Sequence, residues 1–158
     1  ASEILGPNHQ NQLDKFVNLF IEMHDGHAIK NTQPYPNVIK TLKKLNENKV
    51  LMAIATNKRQ APTIKLINYF GWQDYFTSIE CSDSQSQLRN KDEMIQEILK
   101  NENFNKAFFV GDTVNDGLSA NLNQLPFILA RYGYGRNQDW SSIKVFHEIE
   151  KIEDLIKI

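Results

Sequence analysis

The sequence predicts an α/β fold, a three-layer doubly wound parallel sheet preceded by a short helical segment. Three observations carry that prediction. Two apolar runs, Val50 to Ala55 and Ala107 to Val110, lack the alternation of a half-exposed strand, so they read as strands covered on both faces. From residue 36 onward strand-sized and helix-period segments alternate, the pattern of a parallel sheet with crossover helices. The second run ends abruptly in Gly111-Asp112-Thr113-Val114-Asn115-Asp116-Gly117, where Gly111 permits a tight turn and two carboxylates follow at a strand tip. Strand carboxyl ends are where open α/β sheets bind ligands.

The elements follow in order. Residues 12–30 carry Leu13, Phe16, Val17, Phe20 and Ile21 at helical spacing. Pro34-Tyr35-Pro36 interrupts them, and Pro36 is placed in the first turn of a helix through Val38, Leu42 and Leu45. After the Val50–Ala55 strand comes a helix with Ile64, Ile67 and Phe70 on one side and Gly71 as its stop. Trp72, Tyr75 and Phe76 behind it read as packing residues. Thr77 to Cys81 is a weaker strand, Ser82 to Asn90 a polar loop, and Asp92 to Asn101 a helix with Met94, Ile95, Ile98 and Leu99 inward. The Phe108 strand is followed by a helix from Asn115 to Asn123 and a strand from Phe127 to Ala130. Gly133-Tyr134-Gly135 forms a loop, Val145 to Ile149 a last short strand, and Ile152, Leu155 and Ile156 mark a terminal helix.

Composition narrows the function classes. At 158 residues the chain is one domain with room for a real core. A net charge of −1 gives no electrostatic case for nucleic acid or an anionic membrane as partner. No apolar stretch approaches membrane-spanning length, and no signal peptide is visible. Cys81 is the single cysteine, which excludes an internal disulfide and fits a reducing, cytoplasmic setting.

Asp112 and Asp116 are the first candidates. Converging acids suit a hard cation such as Mg²⁺, which takes oxygen ligands and keeps waters for a phosphate to replace; the alternative is that they serve only the turn and the helix N-terminus. Thr56 and Asn57 directly follow a strand, where a hydroxyl and free backbone N–H groups can hold a phosphoryl oxygen, or where they can simply cap the next helix. Lys91 stands where a polar loop meets a helix; its ammonium could balance phosphoryl and carboxylate charge across a cleft, or sit solvated on the surface. His24, Asp25 and His27 could bind Zn²⁺, but a solvated helix end is the expectation.

In this order the motifs resemble the haloacid dehalogenase-like hydrolase superfamily, in its phosphoglycolate phosphatase-like branch. Ile54-Ala55-Thr56-Asn57 resembles its second motif, Lys91 its third, and Gly111-Asp112-Thr113-Val114-Asn115-Asp116 its fourth. Gln33-Pro34-Tyr35-Pro36-Asn37-Val38 resembles the re-entry from a helical cap, and Arg131-Tyr132-Gly133-Tyr134-Gly135 the glycine-rich loop after the fourth motif. Lys91-Asp92 departs from the Lys-Pro of many relatives. The resemblance implies a Rossmann-like core over residues 35–158 and a remnant of a helical cap over residues 1–34. It implies a Mg²⁺-dependent phosphatase acting on a small phosphorylated metabolite. Asp112 and Asp116 would position the metal, one of them through water; Thr56 and Asn57 would hold the phosphoryl group, and Lys91 would neutralise charge. Dehalogenation needs no such metal pair.

The family's first motif, a strand ending in Asp-x-Asp-Gly-Thr that supplies the nucleophile and the acid/base, has no counterpart. The near match at Phe20 to His27 places Met23, a thioether, where the nucleophile must be. That strand belongs between the two apolar strands, and leaving buried backbone groups unpaired costs on the order of 1–3 kcal/mol each. Three resolutions stand open: the chain is the larger part of a longer or cleaved product and is inactive alone, another chain supplies the strand, or the two strands pair directly in a catalytically dead core; separately, exposed strand edges favour self-association. A truncated or degenerate phosphate- or partner-binding module is the alternative to an enzyme.

Overall fold

The structure, a computed structural model, describes residues 15–17, 19, 32–102, 104 and 106–158. Lys15 to Val17 and Leu19 are helical, as the spacing predicts; His24, Asp25 and His27 and the Phe20–His27 near match lie outside the described residues.

Helix α1 (Val38–Glu47) begins later than the proline suggests. Asn37 takes the left-handed conformation, φ 64°, which asparagine tolerates and a helix interior does not, so Pro36 and Asn37 form the turn before the helix. The exit is a Schellman motif: Lys49 is left-handed, its N–H bonds Asn46 O at 2.9 Å, and Val50 N–H bonds Leu45 O at 3.0 Å. That motif absorbs Val50 into the helix exit. Strand β1 therefore runs over Ala53–Thr56, three residues inside the apolar run that announces it.

Strand β1 leads through α2 (Gln60–Phe70), stopped at a left-handed Gly71, to β2 (Ser78–Cys81). The pairing is parallel, Ala53 opposite Ser78 through Thr56 opposite Cys81. Trp72 stacks on Phe70 at 4.7 Å, the packing role expected of it. Helix α3 (Lys91–Asn101) starts at an Asn90 capping box: Asn90 Oδ1 accepts from Glu93 N, and Glu93 Oε2 accepts from Asn90 N. Met94, Ile95 and Ile98 form its buried face against β1 and β2. An Asn90→Ala variant is expected to lose about 1 kcal/mol of stability, read as a fall in the urea midpoint at unchanged slope.

Strand β3 (Phe109–Gly111), helix α4 (Val114–Leu122), β4 (Phe127–Ala130) and β5 (Val145–Ile149) complete the core. All pairings are parallel, in the order β3-β4-β5, with an irregularity between Phe127 and Ile128. Phe127 and Leu129 pack on one face with Ala120 and Ile143, and Ile128 and Ala130 on the other with Ile149. Strand β4 is thus covered on both sides, each large side chain contributing about 2 kcal/mol by burial. The expected terminal helix is present over Ile152–Lys157, in 3₁₀ form. It packs against α1, with Asn37 Nδ2 donating to Glu153 Oε1 at 2.9 Å.

The architecture is a three-layer α/β fold in which the sheet is divided. Among the described residues β1 pairs with β2 alone, and β3 with β4 alone. Direct pairing of β1 with β3 is therefore not the arrangement adopted. Burial follows this division: β4 is fully buried, β1 is half-buried throughout, and Val110 of β3 is 40% exposed.

Candidate active site

In a parallel sheet the loops after each strand gather at one edge, and here they carry the sequence candidates. Thr56 ends β1, Lys91 is the first residue of α3 after the β2 loop, and Asp112 and Asp116 follow β3.

The β3–α4 turn is the most heavily bonded. Thr113 is the N-cap of α4, and its hydroxyl and the Asp116 carboxylate form a capping box. Asp116 Oδ2 accepts from Asp112 N at 3.1 Å, Thr113 N at 2.9 Å and Thr113 Oγ1 at 2.8 Å. Its Oδ1 forms an ion pair with Lys91 Nζ. Asp116 thus lies third in the helix and serves the turn, as one of the two sequence readings holds, while also meeting the lysine. A Cβ on Gly111 would overlap the Asp116 side chain, so glycine there is required by close approach.

Asp112 is held differently. Its Oδ2 accepts from Tyr134 N at 2.7 Å and its carbonyl from Gly135 N at 2.9 Å. Among the hydrogen bonds of the described residues none uses Asp112 Oδ1. The two flanking motifs meet beside it: Tyr35 of the Pro-Tyr-Pro segment contacts Tyr132 edge-on at 5.0 Å. Burial, with the charges of Tyr35 and Asp112 nearby, pushes the Tyr132 hydroxyl up to about 12, so it stays protonated at neutral pH.

Burial pushes the Asp116 carboxyl up, but hydrogen bonds from Lys91 and Thr113 and the charge of Lys91 outweigh it and hold it below the ordinary value. A depressed carboxyl stabilises the fold above its unfolded pKa and loses that contribution as pH falls through the folded one. Melting temperature measured in metal-free buffer is therefore expected to drop below about pH 4. A Lys91→Met variant is expected to flatten that part of the curve.

The Asp116 carboxylate joins Lys91, through their ion pair, to the backbone N–H of Asp112. Thr56 and Asn57 lie at the carboxyl end of β1, in the other part of the divided sheet, and no hydrogen bond among the described residues ties them to the acid pair. Nor do they cap α2, whose N-cap is Arg59; Thr56 Oγ1 accepts instead from Lys58 N at 3.2 Å. The α2 start is served by Asp83, whose Oδ1 accepts from Gln60 N at 2.6 Å. Asp83, a polar loop residue, carries no periodic signal in the sequence of this distant partner.

Among the described residues no three His, Cys, Asp or Glu side chains cluster in a way that could hold a metal. Mg²⁺ does not need such a cage: it is held by one or two carboxylates with waters and phosphate oxygens. The donor types fit that set: a carboxylate oxygen of Asp112 that no hydrogen bond among the described residues engages, and a second carboxylate, Asp116, fixed in the same turn and paired with Lys91. No helix among the described residues is long and apolar enough to cross a membrane.

Comparison with known proteins gives three findings. The haloacid dehalogenase-like hydrolase family profile matches residues 3–130. A phosphoglycolate phosphatase of Psychrobacter arcticus is 27% identical over 90% of this chain and 61% of its own length. One from Rhodobacter capsulatus is 34% identical over 63% of this chain and 46% of its own. The chain thus spans less than two thirds of the length of these relatives. A crystal structure described as a predicted phosphoglycolate phosphatase from Haemophilus somnus superposes with a TM-score of 0.83 at 21% identity, over 94% of this chain and 67% of that one, a likeness of fold.

Proposed function

Because the chain belongs to the haloacid dehalogenase-like hydrolase family, we propose that it carries the phosphate-binding and metal-binding side of a Mg²⁺-dependent phosphatase for a small phosphorylated metabolite. The observation that carries this is the Asp112–Asp116–Lys91 constellation at the carboxyl edge of the strands. Relatives named phosphoglycolate phosphatase support phosphoglycolate as the first substrate to assay.

Asp112, with its unengaged oxygen, and Asp116 would together hold the metal. Bound Mg²⁺ supplies Lewis-acid polarisation of the phosphoryl oxygens. Lys91, pinned by Asp116, presents a fixed positive charge to the same group, the pre-positioned electrostatics on which phosphoryl transfer depends. Thr56 and the backbone N–H groups after β1 hold a phosphoryl oxygen from the other side; Asn57 helps orient it. An Asp-x-Asp strand must complete the reaction as nucleophile and acid/base, and the divided sheet supports its place between β1 and β3.

The test is an assay with an aryl phosphate and Mg²⁺ on the 158-residue chain and on a form carrying an Asp-x-Asp strand ahead of it. Turnover is expected in the longer form alone. Turnover in neither would favour a non-catalytic phosphate- or partner-binding module, and turnover in the short chain would reveal a different nucleophile.

A further inference from the structure

Asp112 is gripped by a segment that the catalytic assignment does not use. Tyr134 N–H holds one carboxylate oxygen and Gly135 N–H holds the Asp112 carbonyl. The fit is close on both sides: a Cβ on Gly133 would overlap the Asp112 carboxylate, and one on Gly135 would overlap the Asp112 carbonyl. Three residues beyond Gly135, the same segment reaches the helix. Val114, first residue of α4, has an N–H with no partner inside the helix, and the Thr113–Asp116 capping box leaves it over. Gln138 Oε1 accepts from that N–H at 2.8 Å. Gln138 is tied back to the loop by its own N–H to Gly135 O at 2.9 Å. Trp140 Nε1 donates to the same carbonyl at 3.2 Å, while its ring stacks on buried Phe127.

We infer that residues 133–140 form a clamp across the β3–α4 turn, with Gln138 as the positioning residue that locks the Asp112 ligand oxygen in place. The chain of contacts runs from the core through Trp140 to Gly135, and from there to Asp112 on one side and to Gln138 and Val114 on the other. Both ends of the turn are thereby fixed, with Asp112 Oδ2 held by Tyr134 N–H and Asp112 Oδ1 left without a hydrogen bond among the described residues. Ligand geometry must be kept within about 0.5 Å to hold a metal well, and a turn fixed at one end alone would not do that. The metal-binding part of this inference rests on the function proposed above.

Gln138→Leu removes the acceptor at similar size, and Gln138→Glu keeps an acceptor oxygen. Two readouts apply to the 158-residue chain: amide hydrogen exchange at Val114, Tyr134 and Gly135 without metal, and Mg²⁺ affinity by calorimetry. Gln138→Leu is expected to speed exchange at these amides about tenfold, and to weaken Mg²⁺ binding at least about fivefold. Tenfold and fivefold convert to about 1.4 and about 1 kcal/mol, the range of one lost hydrogen bond. Gln138→Glu is expected to restore slow exchange and wild-type or tighter affinity. Trp140→Phe, which keeps the ring but loses the donor, is the second variant and is expected to speed exchange at Gly135 and Tyr134. Unchanged exchange in Gln138→Leu, or a loss in Gln138→Glu as large as in Gln138→Leu, overturns the clamp. A wild-type chain that binds no Mg²⁺ would instead sink the metal reading, and the exchange data alone would then decide the clamp.

Discussion

Asp112→Asn is expected to abolish Mg²⁺ binding while leaving the fold nearly intact. The Asn oxygen can still accept from Tyr134 N–H, so the loss of stability should stay under about 1 kcal/mol. What disappears is a charged ligand for a hard cation. Metal-ion stabilisation of a phosphoryl transition state amounts to several kcal/mol. At about 1.4 kcal/mol per factor of ten, turnover in the form carrying the Asp-x-Asp strand should fall by about 10³ or more. Calorimetric titration with Mg²⁺ beside a thermal melt separates the two effects. A variant that melts normally but still binds Mg²⁺ with wild-type affinity would remove Asp112 from the metal site.

Lys91→Met is expected to have the larger effect on stability. Lys91 and Asp116 have side chains 16% and 6% exposed, so removal of the ammonium leaves a carboxylate buried without its counter-charge. Breaking such a pair costs about 3 kcal/mol, which for a domain of this size lowers the melting temperature by ~10 °C. The three donors on Asp116 Oδ2 remain, which keeps the penalty from going higher. Adding Asp116→Asn to Lys91→Met removes the stranded charge and should recover part of the loss. The double-mutant cycle then measures the coupling directly. An unchanged melting temperature in Lys91→Met would mean that the pair is solvated in solution.

The parts of this molecule that could be read from sequence are those whose cause is local. Phe127 to Ala130 is apolar because both of its faces are covered, and its strand has the limits its run predicts. The helix from Asp92 to Asn101 is legible in the spacing of Met94, Ile95, Ile98 and Leu99, and the structure adds Lys91 to its start through the Asn90–Glu93 capping box. The acids of Gly-Asp-Thr-x-x-Asp are legible because a turn and a helix start fix their spacing. Other features depended on residues far apart in the chain. Nothing in Val50-Leu51-Met52 signals that the Schellman exit at Lys49 delays β1 to Ala53. Asp83 and Gln138 bond backbone N–H groups 23 and 24 residues away, and a single polar loop residue carries no periodicity to announce it. The terminal helix has an apolar repeat of the right spacing, yet it is too short for i→i+4 bonds to prevail and closes as 3₁₀. The separation of β1 from β3 was posed by the sequence as a question with three answers, and direct pairing is the one the fold does not take.

The most direct test of the account is a crystal structure of the chain grown with Mg²⁺ and inorganic phosphate. The metal is expected on Asp112 Oδ1, with the phosphate bridging it to Lys91 Nζ on one side and Thr56 Oγ1 on the other. A phosphate ordered elsewhere, with the Asp112 carboxylate bare at saturating Mg²⁺, would contradict the assignment of this edge as the phosphate site.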